Sequence, residues 1–410
     1  MNRFVLRNYH IHFDFGKRTA ILTFCCLSAL LFPLYPSAAD WRVEPYVAAG
    51  VVYNDNLRLT TAPHDSVSGI DVAAGVASVR ETALSLVRID ALVNGTNYSE
   101  DEEEDQDEQI VRLRSNVQAT ERSSWIVDAS FRRDDLLRTI NIPGDFNIRD
   151  LDLLDTEIGS VEQKVRRNRF RLEPSWNYDV TRRTSISLGY LGLDESFSQT
   201  EGTNLVDNDT HVLEASSSHK LSERDTVSVA ARVARFRAPA NDNTTDNASI
   251  LGGIRHAFSP TLNGTLQVGY RDTSVEVGET KDDDSAPVFE ATLEKRTELT
   301  RLVGALRVGP TPSGTGRVVE SKQLALRLRR TISPRSTFGL SLRAFRNEAL
   351  SGDIGAGDRD YVEISPELNW QWTRGRSIIG QYRYRRNERE NEDAADSNAV
   401  FIGIAFRRRR

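Results

Sequence analysis

The 410-residue chain is poor in the residues that supply redox and metal chemistry. It contains two cysteines, one methionine and six histidines. Both cysteines, Cys25 and Cys26, lie near the N-terminus. The rest of the chain therefore has no thiol and can form neither a disulfide nor a thiolate metal site. The net charge of −6 is not that of a chain built to bind nucleic acid, and we predict no nucleic-acid partner.

Long apolar runs are scarce as well. The one clear run, AILTFCCLSALLFPLY, follows basic residues and precedes PSAAD, with small residues at Ser37 and Ala39. This order predicts a secretory signal peptide, residues 1–39, cleaved after Ala39. The alternative is a membrane anchor, but about 16 apolar residues are short for a spanning helix of roughly 20. No linker divides the remaining residues 40–410, so we predict a single domain.

Catalytic patterns are also missing. The histidines after the predicted signal peptide are His64, His211, His219 and His256, and none lies in a recognisable catalytic motif. His211 and Glu214 are three residues apart, which in a strand places them on opposite faces. No phosphate-binding, dinucleotide-binding or zinc-protease motif occurs. We therefore predict a non-enzymatic protein with no catalytic residue, cofactor site or metal site.

A short phrase recurs along the chain: a Ser or Thr, a turn with Arg or Pro, and then alternating apolar and polar residues. Examples are VTRRTSISLGY, LSERDTVSVAA, TISPRSTFGLSLRAF and WTRGRSIIGQY. The phrases begin at Thr181, Ser222, Ser259, Ser333 and Thr373, so the steps are 41, 37, 74 and 40 residues. A repeat near 40 residues is the length of two strands and their two connections, which predicts a series of β-hairpins.

The strands themselves have one apolar face and one charged face. In RFRLE, Phe170 and Leu172 alternate with Arg169, Arg171 and Glu173. Read in this way, the sequence predicts strands at residues 42–53, 68–80, 83–98, 108–120, 124–134, 164–178, 183–196, 208–218, 224–237, 247–258, 261–275, 287–295, 298–308, 318–332, 335–346, 360–373, 376–388 and 397–406.

The connections alternate in length. Even-numbered strands are followed by tight turns such as TERS and SPRS. Odd-numbered strands are followed by longer polar segments, among them APANDNTTD, GETKDDDSA, GPTPSGTGR and an insertion over residues 135–162. Short periplasmic turns and long outer loops are typical of outer-membrane barrels. The sequence thus predicts an all-β, antiparallel, up-and-down transmembrane β-barrel of about 18 strands (16–18), located in the outer membrane and surrounded by its lipid.

A soluble β-solenoid or an exported β-sandwich is the alternative fold. A sandwich would bury its apolar faces in a core about 10 Å thick. Sequentially paired strands with alternating connection lengths favour the closed barrel, which also removes exposed sheet edges.

The charged face is rich in arginine. A barrel of 16 to 18 strands is wide enough to hold water, so these residues are candidates for a pore wall that favours anions. Cross-strand ladders that only stiffen the wall are the alternative role. The predicted pore-lining residues are Arg112, Arg114, Arg132, Arg169, Arg171, Glu173, Arg232, Arg271, Arg307, Arg327, Arg329, Arg343, Glu363, Glu367, Arg383 and Arg385.

Two further segments carry hypotheses. The acidic run EDEEEDQDE, residues 100–108, is either a solvated outer loop or a ligand for divalent cations. The last strand, NAVFIGIAF, places Val400, Ile402, Ile404 and Phe406 on one face, which predicts the barrel-assembly machinery as a partner.

Two short motifs carry a resemblance to a known family. The first strand ends in Tyr-Asn-Asp-Asn, Tyr53 to Asn56, and a Pro-Ser-Gly-Thr-Gly loop spans Pro312 to Gly316. In these features the chain resembles the outer-membrane β-barrel porins found beside exopolysaccharide and exosortase-type export genes. The resemblance implies a barrel that serves polysaccharide passage, with export components as partners, and it carries over no catalytic residue.

The function predicted from the sequence is passive passage of small or oligomeric anionic solutes through a porin-like barrel. Two alternatives stay open at this point. One is a non-enzymatic accessory barrel for exopolysaccharide export, and the other is a structural or adhesive barrel that acts through its outer loops. The sequence does not specify the permeant or the oligomeric state.

Overall fold

The computed structural model describes residues 41–61, 64–99, 105–136, 164–350, 358–390 and 392–407. The predicted signal peptide lies outside the described residues, as do most of the 135–162 insertion and residues 100–104 of the acidic run. Within the described ranges, no helix is long and apolar enough to cross a bilayer.

Eighteen β-strands, β1 to β18, make up almost all of the described chain, and each matches one of the predicted strands. A short 3-10 turn follows β9. The strands are Arg42–Asn54, Val67–Glu81, Ser85–Tyr98, Gln106–Thr120, Ser123–Asp135, Arg166–Asp179, Thr184–Ser198, Asn208–Lys220, Asp225–Ala238, Asn243–Ser259, Leu262–Val277, Thr280–Arg296, Thr300–Pro312, Val318–Ser333, Ser336–Ala349, Arg359–Thr373, Arg376–Arg389 and Ala395–Arg407.

The strands form one closed antiparallel sheet. Each strand pairs with the next along the chain, and β18 returns to pair with β1. That closing pair runs from Tyr46 opposite Arg407 to Asn54 opposite Ala399. The prediction of an 18-stranded up-and-down barrel is therefore confirmed. Closure satisfies backbone groups that would otherwise lie on two free edges.

Alternate residues on the outer face are apolar and exposed. Val51 and Ile402, on the paired first and last strands, are 59% and 58% exposed, and Ile250, on β10, is 65% exposed. An apolar surface that extends around the barrel is unfavourable in water and is the surface that lipid covers. In β18 the outward residues are those predicted from the alternation of NAVFIGIAF.

Aromatic residues gather at the short-turn end of several strands. The rings of Trp125 and Trp176 lie 6.3 Å apart, and Tyr178 stacks on Trp176 at 5.7 Å. Trp372, beside another short turn, is about half exposed. Such amphipathic rings are typical of the boundary between lipid and water.

The lengths of the connections follow the prediction at one end of the barrel and depart from it at three places at the other. Residues 239–242, 278–279 and 313–317 form much shorter connections than predicted, because β10, β12 and β13 extend into the polar segments. The β11–β12 hairpin is the clearest case, since it closes with two residues and Gly278 adopts a positive φ of 59°. Polar residues such as Asp282 were read as loop residues, but the hairpin's ladder continues through them.

Candidate functional site

The sixteen predicted residues all lie within strands β4 to β6, β9, β11 and β13 to β17. On each strand they alternate with the outward apolar residues, so they share the opposite, inner face. Arg232 identifies this face as concave. Its Nη1 contacts Glu290 Oε1 at 2.9 Å, although β9 and β12 are separated by two strands. Side chains of strands so far apart meet only on the inside of a curved wall.

Several of these arginines pair with carboxylates on neighbouring strands. Arg112 on β4 is buried, and its Nε donates to Asp128 Oδ1 of β5 at 3.0 Å. Arg114 approaches the same carboxylate at 3.4 Å. Arg132 binds Glu108 at 3.2 Å and Asp134 at 2.9 Å. The pairs with Asp128 and Glu108 join neighbouring strands, as in the cross-strand ladder that is the alternative role for single arginines.

A second group pairs near the loop end of β6. Arg169 Nε lies 3.3 Å from Glu195 on β7, and Arg171 contacts Glu173 on its own strand. Arg167, which the sequence reasoning left out, is almost fully buried and donates to Asp134 at 3.1 and 3.0 Å.

The other predicted residues are distributed around the inner wall. Arg271 contacts Asp284 and Glu320 at 3.1 and 2.7 Å. The guanidinium of Arg343 lies 5.5 Å from the Phe345 ring. The remaining inward positions are Arg327 and Arg329 on β14, Glu363 and Glu367 on β16, and Arg383 and Arg385 on β17. Arg383 Nε lies 3.7 Å from Glu363. Arg385 donates to the carbonyl oxygen of Leu57 at 3.2 Å.

The inner face is not charged all the way round, which differs from the expected pattern. On β1 to β4 and on β17 and β18 it carries a buried apolar cluster that includes Tyr46, Val52, Leu92 and Phe401. Leu57 from the β1–β2 connection inserts into this cluster and is 2% exposed. The predicted arginines lie on strands between β4 and β17, and on β4 and β17 they share the inner face with residues of this cluster.

The Tyr-Asn-Asp-Asn motif holds that connection in place. Asn54 Oδ1 accepts hydrogen bonds from Asn56 N and Ser397 Oγ at 2.9 and 3.0 Å. Asp55 accepts two more from Asn398 at 2.6 and 2.8 Å. The motif therefore fastens the first long connection to the last strand, which explains the need for these residue types in this order.

The second motif lies across the loop end of the lumen. We name residues 309–321, the ends of β13 and β14 with their connection, the lid hairpin. Val206 N donates to Gly314 O at 3.0 Å, and the side-chain amides of Asn241 and Asn243 each donate to carbonyls of the lid hairpin at 2.8 Å. Val318 packs with Phe236 in a second apolar cluster. Because β7 to β10 are not sheet neighbours of β13 and β14, the lid hairpin bends inward to make these contacts.

A cavity of about 160 Å³ lies beneath the lid hairpin. Four arginines line it, namely Arg169, Arg171, Arg232 and Arg307, and its described lining contains no Asp or Glu. The partner carboxylates of these arginines do not line the cavity, so the cavity presents cationic groups. Two buried polar atoms at the cavity, Arg307 Nε and Thr210 Oγ1, have no hydrogen-bond partner among the described residues. The arrangement can accept an anionic oxygen group.

Sequence reasoning missed Thr210 and Val288 as cavity residues, because nothing local distinguishes an inward Thr or Val from others of the same strand. Pro310 and Pro312 also line the cavity, and they did carry a signal. Proline cannot donate to a sheet ladder, so two prolines within a strand predict an edge.

The acidic run is described only from Asp105 onward. Asp105 accepts hydrogen bonds from Asn97 Nδ2 and Tyr98 N at 2.7 and 2.8 Å. Asp107 pairs with Arg166, and Glu108 with Arg132. Among the described residues, no group of three or more His, Cys, Asp or Glu side chains is placed to hold a metal ion.

Comparisons with known proteins return structural matches only. No family model and no curated protein matches the chain. OccK2 (OpdF) of Pseudomonas aeruginosa has a TM-score of 0.46 and 10% identity over 90% of this chain and 98% of its own. OccAB2 of Acinetobacter baumannii has a TM-score of 0.45 and 9% identity, with 90% and 98% covered. A BenF-like porin from Pseudomonas fluorescens Pf-5 has a TM-score of 0.45 and 8% identity, with 90% and 99% covered.

Proposed function

We propose that this protein is an outer-membrane, porin-like barrel that allows passive passage of small anionic solutes. The observation that carries the proposal is the contrast between the two faces of one closed wall. The outer face is apolar and exposed, as at Ile250 and Ile402, whereas the inner face beneath the lid hairpin is lined by arginines. The apolar outer face favours contact with lipid, and the charged inner face favours contact with water and ions.

Selectivity in this proposal comes from the sign of the charges that face the cavity. Arg307 lies 3.8 Å from Glu290, and its side chain is one-third exposed, so the guanidinium still faces the cavity. Arg232 is held between Glu214 and Glu290 at 2.7 and 2.9 Å. These carboxylates orient the arginines and lower the net field, which favours weak, reversible anion binding over tight capture.

The test is a reversal potential in planar bilayers. Purified barrel would be reconstituted, and single channels recorded across a tenfold KCl gradient. We expect discrete current steps whose reversal potential is displaced toward the chloride equilibrium potential. A displacement toward potassium would contradict the anion preference, and the absence of steps from a folded barrel would contradict the open channel.

A further inference from the structure

The ladder between β12 and β13 ends early, although both strands continue. It runs from Arg296 opposite Arg301 to Phe289 opposite Val308 and stops there. On the same strands, the β11–β12 ladder extends to Thr280 and the β13–β14 ladder to Pro312. Residues 285–288 and 309–312 would face one another if the ladder continued. We name these two segments the unpaired seam.

The sequence of the unpaired seam disfavours continued sheet pairing. Pro287 lies on one side, and Pro310 and Pro312 on the other. None of the three has an N–H to donate to a neighbouring strand. The inward bend of the lid hairpin also carries the end of β13 away from β12, because the hairpin is fastened to Asn241 and Asn243.

Side chains alone close the unpaired seam. A Cβ atom at Gly309 would lie 3.6 Å from Val288 Cγ1, so Val288 covers the lower part of the seam. Farther toward the loops, Arg271 on β11 bridges to Glu320 on the lid hairpin at 2.7 Å. Side-chain contacts of this kind can exchange without breaking backbone hydrogen bonds of the barrel.

The arginine-lined cavity lies directly behind the seam. Val288, Pro310 and Pro312 are part of its lining, together with Arg307. Its volume of about 160 Å³ is close to the ~150 Å³ that accommodates a benzene-sized ligand. That space has room for an anionic headgroup and the first few carbon atoms beside it. The seam residues Val288, Pro310 and Pro312 form part of its wall, so a longer chain would leave between them.

We propose that the barrel binds an anionic single-chain amphiphile, such as a medium-chain carboxylate, with its headgroup at Arg307 and Thr210 and its alkyl chain leaving through the unpaired seam. The barrel then has a lateral route between its lumen and the surrounding lipid. The complementary features are the cationic cavity, its two polar atoms that lack a hydrogen-bond partner among the described residues, and the apolar residues of the seam. This proposal rests on the same arginines as the proposed anion passage. Amphiphile binding is measured directly, whereas anion passage is measured as conductance, so a negative result for one is distinguishable from a negative result for the other.

The first test compares three probes on the full chain, purified from membranes and folded in neutral maltoside micelles. We expect saturable binding of radiolabelled dodecanoate, near one per barrel. Butyrate has the same headgroup without the tail, and should compete only at concentrations on the order of a hundredfold higher, because buried methylene groups add affinity. Dodecyltrimethylammonium has the same tail with the opposite charge and should not compete. Equal competition by butyrate, or by the cation, would overturn the proposal.

The second test locates the tail with substitutions on β12. Val288→Trp should fill the seam and weaken dodecanoate binding at least tenfold. Thr292→Trp is the matched control, because Thr292 lies on the same face of the same strand but within the paired ladder, opposite Ala305. Equal losses in both variants, or none in Val288→Trp, would contradict passage of the chain through the seam.

The third test closes the seam reversibly. A disulfide between Val288→Cys and Gly309→Cys should abolish most dodecanoate binding when oxidised and restore it when reduced. The control pair, Ala291→Cys with Leu306→Cys, faces across the intact ladder and should leave binding unchanged in both states. Unchanged binding in the oxidised seam variant would overturn the lateral route. If that disulfide does not form, Val288→Trp decides the question.

Discussion

The ring of Phe401 on the last strand lies over Gly50 on the first strand, at the place where the barrel closes. A Cβ atom at Gly50 would lie 2.6 Å from two carbons of this ring. Gly50 faces Gly403 in the β1–β18 register, and a Cβ at Gly403 would meet the same ring. The closing pair therefore contains two glycines because a Cβ at either position would meet both the Phe401 ring and a carbonyl oxygen of the partner strand.

Replacement of Gly50 should weaken closure of the barrel. We expect Gly50→Ala to lower the free energy of unfolding by about 1–3 kcal/mol, because the added methyl group would lie 2.6 Å from both the Phe401 ring and the Ile402 carbonyl oxygen. Urea unfolding in lipid vesicles, followed by tryptophan fluorescence, measures the change. Gly252→Ala is the control, since nothing lies within 4 Å of a Cβ there. Similar unfolding of the two variants would contradict the close packing at the closing pair.

Gly316 should control how closely the lid hairpin covers the lumen. It has a φ of +76°, and a Cβ there would contact Val206, Asn241 and Ala238. Gly316→Val should push the lid hairpin off these residues and raise single-channel conductance about twofold, because the constriction widens. Gly278→Val, at a φ of +59° and with only Asp242 Oδ2 within 4 Å of a Cβ, at 3.9 Å, should leave conductance unchanged. An unchanged Gly316 variant would show that the lid hairpin does not limit the current.

Neutralising Arg307 and neutralising Glu290 should shift the ion selectivity of the channel in opposite directions. Arg307→Gln removes a cationic group from the cavity and should lower the chloride-to-potassium permeability ratio by about twofold, whereas Glu290→Gln should raise it. Reversal potentials across a KCl gradient measure both. The control is Arg235→Gln, because Arg235 faces outward and pairs with Asp246 at 2.6 Å. Shifts of the same sign in the two inner variants would contradict electrostatic selection.

Two carboxylates with similar geometry should differ in their contribution to stability. Arg112 is 4% exposed beside Asp128, so Asp128→Asn leaves a buried charge without its main partner and should cost about 3–5 kcal/mol. Arg346 makes an equally direct pair with Asp360 at 2.8 and 2.7 Å, but the two side chains are 57% and 43% exposed. Asp360→Asn should therefore cost less than about 1 kcal/mol. Urea unfolding of the two variants compares them, and equal losses would contradict the effect of burial.

Much of the architecture could be predicted because its signal is local. The side chains of a strand alternate between faces, so the period of two in segments such as RFRLE predicted both the strands and their inner and outer residues. The loop-end hairpins were harder to predict. Asp282 is polar and was assigned to a loop, but a hairpin that is solvated on both faces holds polar residues in regular pairing.

The candidate site depended on contacts between distant parts of the chain. The inward arginines were predicted from alternation, yet the partners of Arg232 come from β8 and β12, and no local pattern specifies them. The apolar cluster around Phe401 on the inner face was not predicted. Alternation shows on which face a side chain lies, but not which residues of other strands it contacts.

The sequence by itself determined the strands, their number to within 16–18, their order and the face on which each side chain lies, because all of these follow from short-range periodicity and turn residues. The tertiary structure alone decided where neighbouring strands pair and where their ladder is interrupted. Pro310 and Pro312 allow an edge, but the edge exists because Asn241 and Asn243, some seventy residues earlier, hold the lid hairpin inward. Contacts of that range depend on the curvature of the closed barrel, which no short segment encodes.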